Sequence, residues 1–236
     1  MSTKKVKLKV KKKKLKIKKI LIFLIFLIIL TLFVTYFLKM PIKNIYINGN
    51  NYVSDREIIK LAKLEKYPSF IKTYFNNIEE KIKRNIYIKN IKVKRKMFGK
   101  IYIEVEEYKP LAIYREKIIL SSSKQIDNNN TINHIPTIIN NIDNIYNKFV
   151  ESFTNVDENV LVKISHIEYA PNEVDKERFI LYMVDSNYVY ITLSKIEKIN
   201  KYNSIVNELE EKKAIIYLDS GDYAEIKSWH KKKLII

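Results

Sequence analysis

A charge-free apolar run near the amino terminus constrains this chain more than any other feature. Residues 20–38 are nineteen consecutive uncharged residues, and the most polar among them are Thr31, Thr35 and Tyr36. A helix rises about 1.5 Å per residue, so the run reaches roughly 28 Å, close to the ~30 Å hydrocarbon core of a bilayer. In lipid, a helix satisfies its own backbone polar groups. The run therefore predicts one transmembrane helix over 20–38.

The residues in front of the run predict its orientation. Residues 1–19 hold eleven lysines and no acidic residue, and the first acid of the chain is Asp55. Lysines beside a span remain in the cytoplasm. We therefore expect a basic cytoplasmic tail over 1–19, a single-pass type II anchor in the plasma membrane, and an extracytoplasmic portion from about Lys39 onward.

Two alternatives for the apolar run are disfavoured by its length. A cleaved signal peptide usually has an apolar core of about 7–15 residues that ends at small residues, whereas this run continues into Tyr36, Phe37, Leu38 and Lys39. A buried core helix rarely carries so long a stretch without charge. A retained membrane anchor is the interpretation that fits the sequence.

The basic charge is concentrated in the tail. The formal net charge of the chain is +18 and the tail supplies +11, so the remaining residues carry 18 − 11 = +7. This distribution does not predict a specific nucleic-acid-binding face. The lysine tail has a charge suited to anionic lipid headgroups or to non-specific contact with nucleic acid, or it serves only to set the orientation. The sequence leaves these three interpretations open.

Residue types and spacing predict no catalytic, cofactor or metal site, and we expect a protein that is not an enzyme. The chain has no cysteine, so it forms no disulfide and no thiolate metal site. Its three glycines are too far apart for a phosphate-binding loop. Glu104 and Glu106 share the outward face of a predicted strand, where we expect solvated pairing with Lys92 and Lys94. The histidines, too widely spaced for a metal-binding helix, are His134, His166 and His230.

Residues 41–108 have the pattern of a small α+β unit. Isoleucines that alternate at positions 45 and 47 predict a strand. Ser54 and Glu57 match a capping box and predict the start of a helix. A second amphipathic helix is predicted from Ile71 to Ile82, and two strands joined by a tight hairpin follow. The order strand, helix, helix, strand, strand predicts two helices on one face of a three-stranded sheet.

Residues 109–229 predict a β-rich domain with flanking helices, followed by a basic tail at 230–236. Helices are predicted over 144–153 and 196–209. The predicted strands are 111–114, 118–120, 164–167, 179–184, 188–193 and 214–218. A possible edge strand is predicted from Tyr223 to Trp229.

Several segments of the chain resemble one known family. They are Ile45 to Asn50 before Val53-Ser54, Ile88 to Arg95, and Ile101 to Ala112, in which an alternating strand is followed by acids, proline and alanine. With the basic tail and single span, they resemble the bacterial division proteins called FtsQ or DivIB. The unit at 41–108 is similar to the POTRA domain of that family, Ile126-Asp127 resembles an Asp-containing turn of the family, and the resemblance spans nearly the whole chain.

This resemblance implies a non-enzymatic scaffold of the septum-building assembly. Members of the family bind the division proteins FtsL and FtsB (called DivIC in many bacteria) through the distal part of the outer domain. We therefore expect the chain at the division septum, with those proteins as partners. Two alternatives are a membrane-anchored cell-wall enzyme, which would need a catalytic cluster, and a POTRA-type chaperone or secretion protein, which would usually carry several such units.

The predicted edge strand is the candidate partner-binding site. A terminal strand offers unpaired backbone N–H and C=O groups to another chain. Large apolar side chains such as Tyr223, Ile226 and Trp229 would anchor such a partner. Asp219-Ser220-Gly221 and Trp229 also resemble a family segment in the partner-binding region, although packing of Trp229 on its own domain is equally open. The candidate residues are Ser220, Tyr223, Ile226 and Trp229.

Overall fold

The computed structural model describes residues 16–128, 132, 134–210 and 212–226, without the side chains of Phe75 and Asn76. The chain forms an apolar amino-terminal helix, a small three-stranded α+β unit and a larger unit built on a nine-stranded sheet. The predicted α+β fold class is confirmed. The two basic tails, apart from residues 16–19, lie outside the described residues.

The first helix, α1 (Ile17–Lys39), contains the whole predicted span and extends slightly beyond it at both ends. It is long and apolar enough to cross a membrane, and none of its side chains is buried by the rest of the protein. The Thr31 hydroxyl donates to the Ile28 carbonyl at 2.8 Å, and the Thr35 hydroxyl donates to the Leu32 carbonyl at 2.9 Å. These bonds satisfy the two hydroxyls within the helix, which makes them tolerable in an apolar surrounding.

The small unit has the predicted strand and helix order. Its elements are β1 (Asn44–Asn48), α2 (Asp55–Leu61), α3 (Phe75–Ile82), β2 (Ile88–Lys96) and β3 (Lys100–Glu107). The sheet order is β1-β3-β2, with β1 parallel and β2 antiparallel to the central strand. The helices bury Ile58 and Ile82 against Ile101 and Ile103. The second helix starts at Phe75, so its predicted start at Ile71 was wrong.

Three features fix the turn and the helix that follow β1. The hydroxyl of Ser54 accepts the N–H of Glu57 at 3.3 Å, as the predicted cap requires. The Glu57 carboxylate accepts from the Asn85 side chain at 2.9 Å and so ties α2 to the turn after α3. Gly49 has a φ of +85°, and a Cβ there would lie 2.1 Å from the Val105 carbonyl oxygen. Only glycine allows β1 to turn this close to β3.

The carboxylate of Glu107 holds the other end of the same turn. One of its oxygens accepts the backbone N–H groups of Asn51 and Tyr52, each at 2.7 Å. The other oxygen accepts the N–H of Val53 at 2.9 Å. Three consecutive donors ahead of α2 are therefore satisfied by one side chain at the end of β3.

The large unit is a nine-stranded sheet. Its strand order is β12-β11-β10-β9-β8-β7-β4-β5-β6, with parallel pairing at β10–β11, β4–β7 and β7–β8. The strands are β4 (Pro110–Tyr114), β5 (Lys117–Leu120), β6 (Gln125–Asp127), β7 (Thr137–Ile138), β8 (Ile164–Tyr169), β9 (Arg178–Met183), β10 (Tyr188–Thr192), β11 (Ala214–Tyr217) and β12 (Tyr223–Ile226). The turn that the family resemblance implied at Ile126-Asp127 was wrong, because both residues lie in β6 and pair with β5.

One face of this sheet carries the helices. They are α4 (Tyr146–Phe153) after a 3₁₀ turn at Asp143–Ile145, α5 (Glu158–Leu161), and a 3₁₀ helix (Leu193–Lys201) that continues into α6 (Tyr202–Glu208). The helix predicted over 196–209 is thus 3₁₀ in its first half. Phe149 and Phe153 pack on Phe179 in the core, and Tyr182 and Tyr190 lie half-exposed on the opposite face.

Two residues, Tyr108 and Lys109, connect β3 to β4. The Lys109 ammonium donates to the carbonyls of Thr154 and Val156, at the end of α4. Burial lowers the pKa of Lys109, and the nearby carboxylate of Glu158 acts in the opposite direction. Burial next to Glu158 also raises the pKa of Tyr52, in the small unit, to about 12. These groups bring the two units into direct contact.

Candidate functional site

The strand β12 lies at one end of the nine-stranded sheet. It pairs antiparallel with β11, with Tyr217 opposite Tyr223 and Ala214 opposite Ile226. Among the described residues no strand pairs with its other side. The outer edge of β12 therefore presents backbone donors and acceptors to the surroundings.

The turn between β11 and β12 is held by Asp219. Its carboxylate accepts the Arg178 Nε–H at 2.7 Å, and it also accepts the backbone N–H and the hydroxyl of Ser220 at 2.7 and 3.1 Å. The Asp219 side chain is only 8% exposed. Burial by itself would raise the pKa of this carboxyl, but the bonds from Arg178 and Ser220 outweigh burial, so its pKa lies below the ordinary value.

A row of stacked side chains attaches β12 to the outer face of the sheet. The ring of Tyr223 stacks on Tyr217 at 4.7 Å between centroids, and Tyr217 stacks on Tyr190 at 5.1 Å. The guanidinium of Arg178 lies 4.4 Å from the centroid of the Tyr190 ring. The row crosses β9, β10, β11 and β12 because these tyrosines are cross-strand partners.

A groove lies on the other face, between β12 and the helical layer. Its volume is about 480 Å³. The apolar lining comes from Ile205, Leu209, Ile216, Leu218 and Ala224. Lys198, Lys201 and Glu208 form a charged rim, and the Lys198 ammonium donates to the Asp222 carboxylate at 2.6 Å. The groove is thus apolar at its base and polar at its mouth.

The structure separates the residues that the sequence analysis grouped. Tyr223 and Ile226 are 49% and 55% exposed. They point to opposite faces of β12, because residues three apart in a strand alternate. Ser220 is exposed in the turn and uses its hydroxyl to bond Asp219. Trp229 lies outside the described residues.

Sequence reasoning missed the residues that brace the edge strand. The strand register places Tyr217 beside Tyr223 and Tyr190 beside Tyr217. The Arg178 guanidinium lies over the Tyr190 ring. They are distant in sequence, and no local pattern connects them. The only signal in the sequence is the recurrence of tyrosine at alternate positions of predicted strands.

The acidic residues considered for chemistry lie in ordinary ion pairs. The Lys94 ammonium lies 2.6 Å from the Glu104 carboxylate, and the Lys89 ammonium lies 2.6 Å from that of Glu106. All four side chains are largely exposed. Within the described ranges, no group of three or more His, Asp or Glu side chains is placed to hold a metal ion.

Comparison with known proteins relates the chain to bacterial cell division proteins. Residues 40–108 match the family model described as "POTRA domain, FtsQ-type". The chain is 28% identical over 232 residues to the cell division protein DivIB of Bacillus subtilis, which covers 93% of this chain and 88% of that protein. DivIB of Bacillus cytotoxicus is 26% identical over 229 residues, covering 91% and 89%. Residues 40–108 thus match a POTRA domain of the FtsQ type, and most of the chain is similar to DivIB cell division proteins.

The family resemblance stated from the sequence is thereby confirmed. The similarity to DivIB proteins supports a role in cell division, and these division proteins are not a known enzyme family. The chain is also similar to a solved structure, the major extracytoplasmic domain of DivIB from Geobacillus stearothermophilus. That comparison has a TM-score of 0.37 and 19% identity, and covers 45% of this chain and 97% of the solved one.

Proposed function

We propose that this chain is a membrane-anchored scaffold of the division machinery that binds FtsL and FtsB/DivIC-type partners. In this proposal the lysine tail (1–19) is cytoplasmic, and residues 20–38 cross the plasma membrane. A POTRA-like domain (41–108) and a β-rich domain (109–229), followed by a basic tail (230–236), lie outside at the septum. Similarity to DivIB proteins supports this assignment, and the lysines before α1 support its orientation.

The observation that carries the proposed binding mode is the open outer edge of β12. A partner segment that pairs with this edge would extend the sheet by one strand. Main-chain hydrogen bonds would supply affinity, and side chains on both faces would supply specificity. This mode needs no catalytic group and no cofactor.

The two faces of β12 offer different surfaces to such a segment. On the outer face, the added strand would place side chains beside Tyr223, at the end of the stacked row. On the other face, its side chains would lie near Ile226 and the mouth of the apolar groove. We therefore expect the partner segment to carry large side chains on both faces, since buried aromatic and aliphatic anchors dominate interfaces.

Introducing a charged side chain on β12 tests the binding site. The variants Tyr223→Glu and Ile226→Lys alter exposed positions, so the large unit should remain folded. Tyr223→Glu also removes the stack on Tyr217, so Ile226→Lys is the variant that tests binding alone. We expect at least about a tenfold loss of FtsL and FtsB/DivIC-type partners in co-purification with tagged full-length protein, equivalent to about 1.4 kcal/mol. Val174→Glu, at a 96% exposed position in another loop, is the matched control. Unchanged co-purification by both β12 variants would show that binding uses another surface.

Protease treatment of intact protoplasts tests the proposed orientation. We expect the folded portion after Lys39 to be accessible, and a tag placed before the lysine tail to remain protected. Protection of the carboxyl-terminal two-thirds would contradict the proposed topology. A tagged copy viewed in dividing cells tests the septal localisation, for which we expect enrichment at midcell.

A further inference from the structure

The chain leaves α1 beside two loops of the small unit. The hydroxyl of Ser69 donates to the Leu38 carbonyl at 2.6 Å, and the N–H of Phe70 donates to the Met40 carbonyl at 2.8 Å. The N–H of Lys43 donates to the Gly99 carbonyl at 2.8 Å. The loop 66–74 and the tip of the β2–β3 hairpin, 95–100, are therefore fixed against the end of α1.

These two loops are also tied to each other. The Arg95 guanidinium donates to the Thr73 carbonyl at 3.0 Å and lies 4.8 Å from the centroid of the Phe70 ring. Loop and hairpin tip therefore form one surface around the end of the helix. We call this surface, residues 39–43, 66–74 and 95–100, the juxtamembrane surface.

Large apolar side chains project from the juxtamembrane surface. Four of them are between 53% and 76% exposed: Tyr67, Tyr74, Met97 and Phe98. Met97 and Phe98 occupy the hairpin tip, where Phe98 has a φ of +64° and the following glycine a φ of +77°. Such a turn projects both side chains away from the sheet they follow. The three-stranded core does not use them.

The charge of the same surface has one sign. Its three segments contain seven basic residues and no acidic residue. The basic residues are Lys39, Lys43, Lys66, Lys72, Arg95, Lys96 and Lys100. Tyrosine and phenylalanine interleaved with lysine and arginine is the composition of protein surfaces that lie at the membrane–water interface.

The position of α1 identifies what this surface meets. The apolar helix is long enough to cross the bilayer and ends at Lys39. The headgroup region adds roughly 5–8 Å on each side of the hydrocarbon core. Groups that are hydrogen-bonded to the Leu38 and Met40 carbonyls therefore lie within or against that layer. This placement holds for either orientation of the helix.

We propose that the juxtamembrane surface binds the lipid bilayer that α1 crosses. Met97, Phe98, Tyr67 and Tyr74 enter the interfacial layer, and the basic residues contact anionic headgroups. The small unit is then attached to the membrane at its span and at its hairpin tip, which restricts its tilt. This inference does not depend on binding of FtsL or FtsB/DivIC-type partners.

Fluorescence quenching in nanodiscs tests the insertion. The chain has a single tryptophan, Trp229, so the Trp229→Phe background allows one reporter to be placed at will. Full-length protein with Phe98→Trp is compared with Val174→Trp, whose position is highly exposed in the large unit. With brominated phospholipids and anionic phosphatidylglycerol, we expect at least about threefold stronger quenching at position 98 and a blue-shifted emission. Equal quenching at the two positions would overturn the proposal.

The headgroup contact is tested in the same system. In the Phe98→Trp background, Lys72→Gln with Lys96→Gln should reduce quenching about twofold in anionic nanodiscs. Lys124→Gln with Lys176→Gln, two exposed lysines of the large unit, is the matched control and should change nothing. Replacing the anionic lipid by phosphatidylcholine should reproduce the effect of the first pair. Unchanged quenching in both the variant and the neutral lipid would overturn the assignment of anionic headgroups.

Discussion

The ring of Tyr223 lies 4.7 Å from the ring of Tyr217, with 17° between their planes. The strand that carries Tyr223 has only four residues and pairs on one side alone in the described part of the chain. Short edge strands fray readily because few hydrogen bonds hold them. Tyrosine stacking is therefore an important part of what keeps β12 in the sheet.

Removing this stack should loosen β12 without unfolding the large unit. We expect Tyr223→Ala to cost about 0.5–1.5 kcal/mol locally, which gives roughly two- to tenfold faster hydrogen exchange at the β12 amides. Tyr223→Phe keeps the ring and should exchange like the wild type. Faster exchange in both variants would instead assign the stabilisation to the hydroxyl.

Gly49→Ala should destabilise the small unit. A Cβ at this position would meet the Val105 carbonyl oxygen at 2.1 Å, and the φ of +85° is strained for alanine. We expect a loss of more than about 2 kcal/mol, measured as faster exchange over 44–61. Gly221→Ala is the control, because its Cβ would approach no backbone atom and only the side-chain ring of Tyr223, at 3.0 Å. Similar effects at both sites would contradict this explanation.

Glu107→Gln should weaken the turn ahead of α2. The amide keeps one acceptor oxygen for three backbone donors, so at least one N–H loses its partner. We expect a cost of about 2–3 kcal/mol, read as increased exchange at Asn51 to Val53. Glu106→Gln removes only an exposed ion pair with Lys89 and should leave this exchange near its wild-type rate.

Asp219 should make the large unit sensitive to acid. Its folded pKa is lowered, so the carboxylate stabilises the fold above the unfolded value of about 3.9 and loses this effect as the pH falls through the folded pKa. We expect Asp219→Asn to lower the melting temperature at neutral pH and to flatten its dependence on pH below about 4.

Asp222→Asn is the comparison for this measurement. The hydrogen bond from Lys198 lowers the pKa of Asp222, but its side chain is 64% exposed and salt screens the pair. At high salt, only the Asp219 variant should still differ from the wild type. If both variants kept the wild-type dependence of the melting temperature on pH, another titratable group would be responsible for the acid sensitivity.

Much of the small unit was predictable because its signals are local. The Ser54 cap and the alternating isoleucines of β3 each depend on residues that are close together in the sequence. In the large unit, residue patterns predicted most of the strands and their order along the chain. The edge position of β12 followed from its place near the end of that order.

The features that sequence reasoning missed depend on distant residues. Tyr190 and Tyr217 meet only because β10 and β11 pair in parallel, and no local pattern gives that register. Glu107 binds a turn more than fifty positions away. The 3₁₀ conformation of Leu193–Lys201 was mistaken for an α-helix, because apolar residues such as Ile196 and Ile199 suit both periods.

The central strand of the small unit sets a distance between the end of α1 and the large unit. From Lys100, beside the membrane end of the unit, β3 runs eight residues to Glu107, or roughly 26 Å. Only Tyr108 and Lys109 separate it from the large unit, and the Lys109 ammonium is hydrogen-bonded to the Thr154 carbonyl of that unit. In the proposed arrangement, a partner anchored in the same bilayer would need a helical segment of up to about 17 residues to span the length of β3.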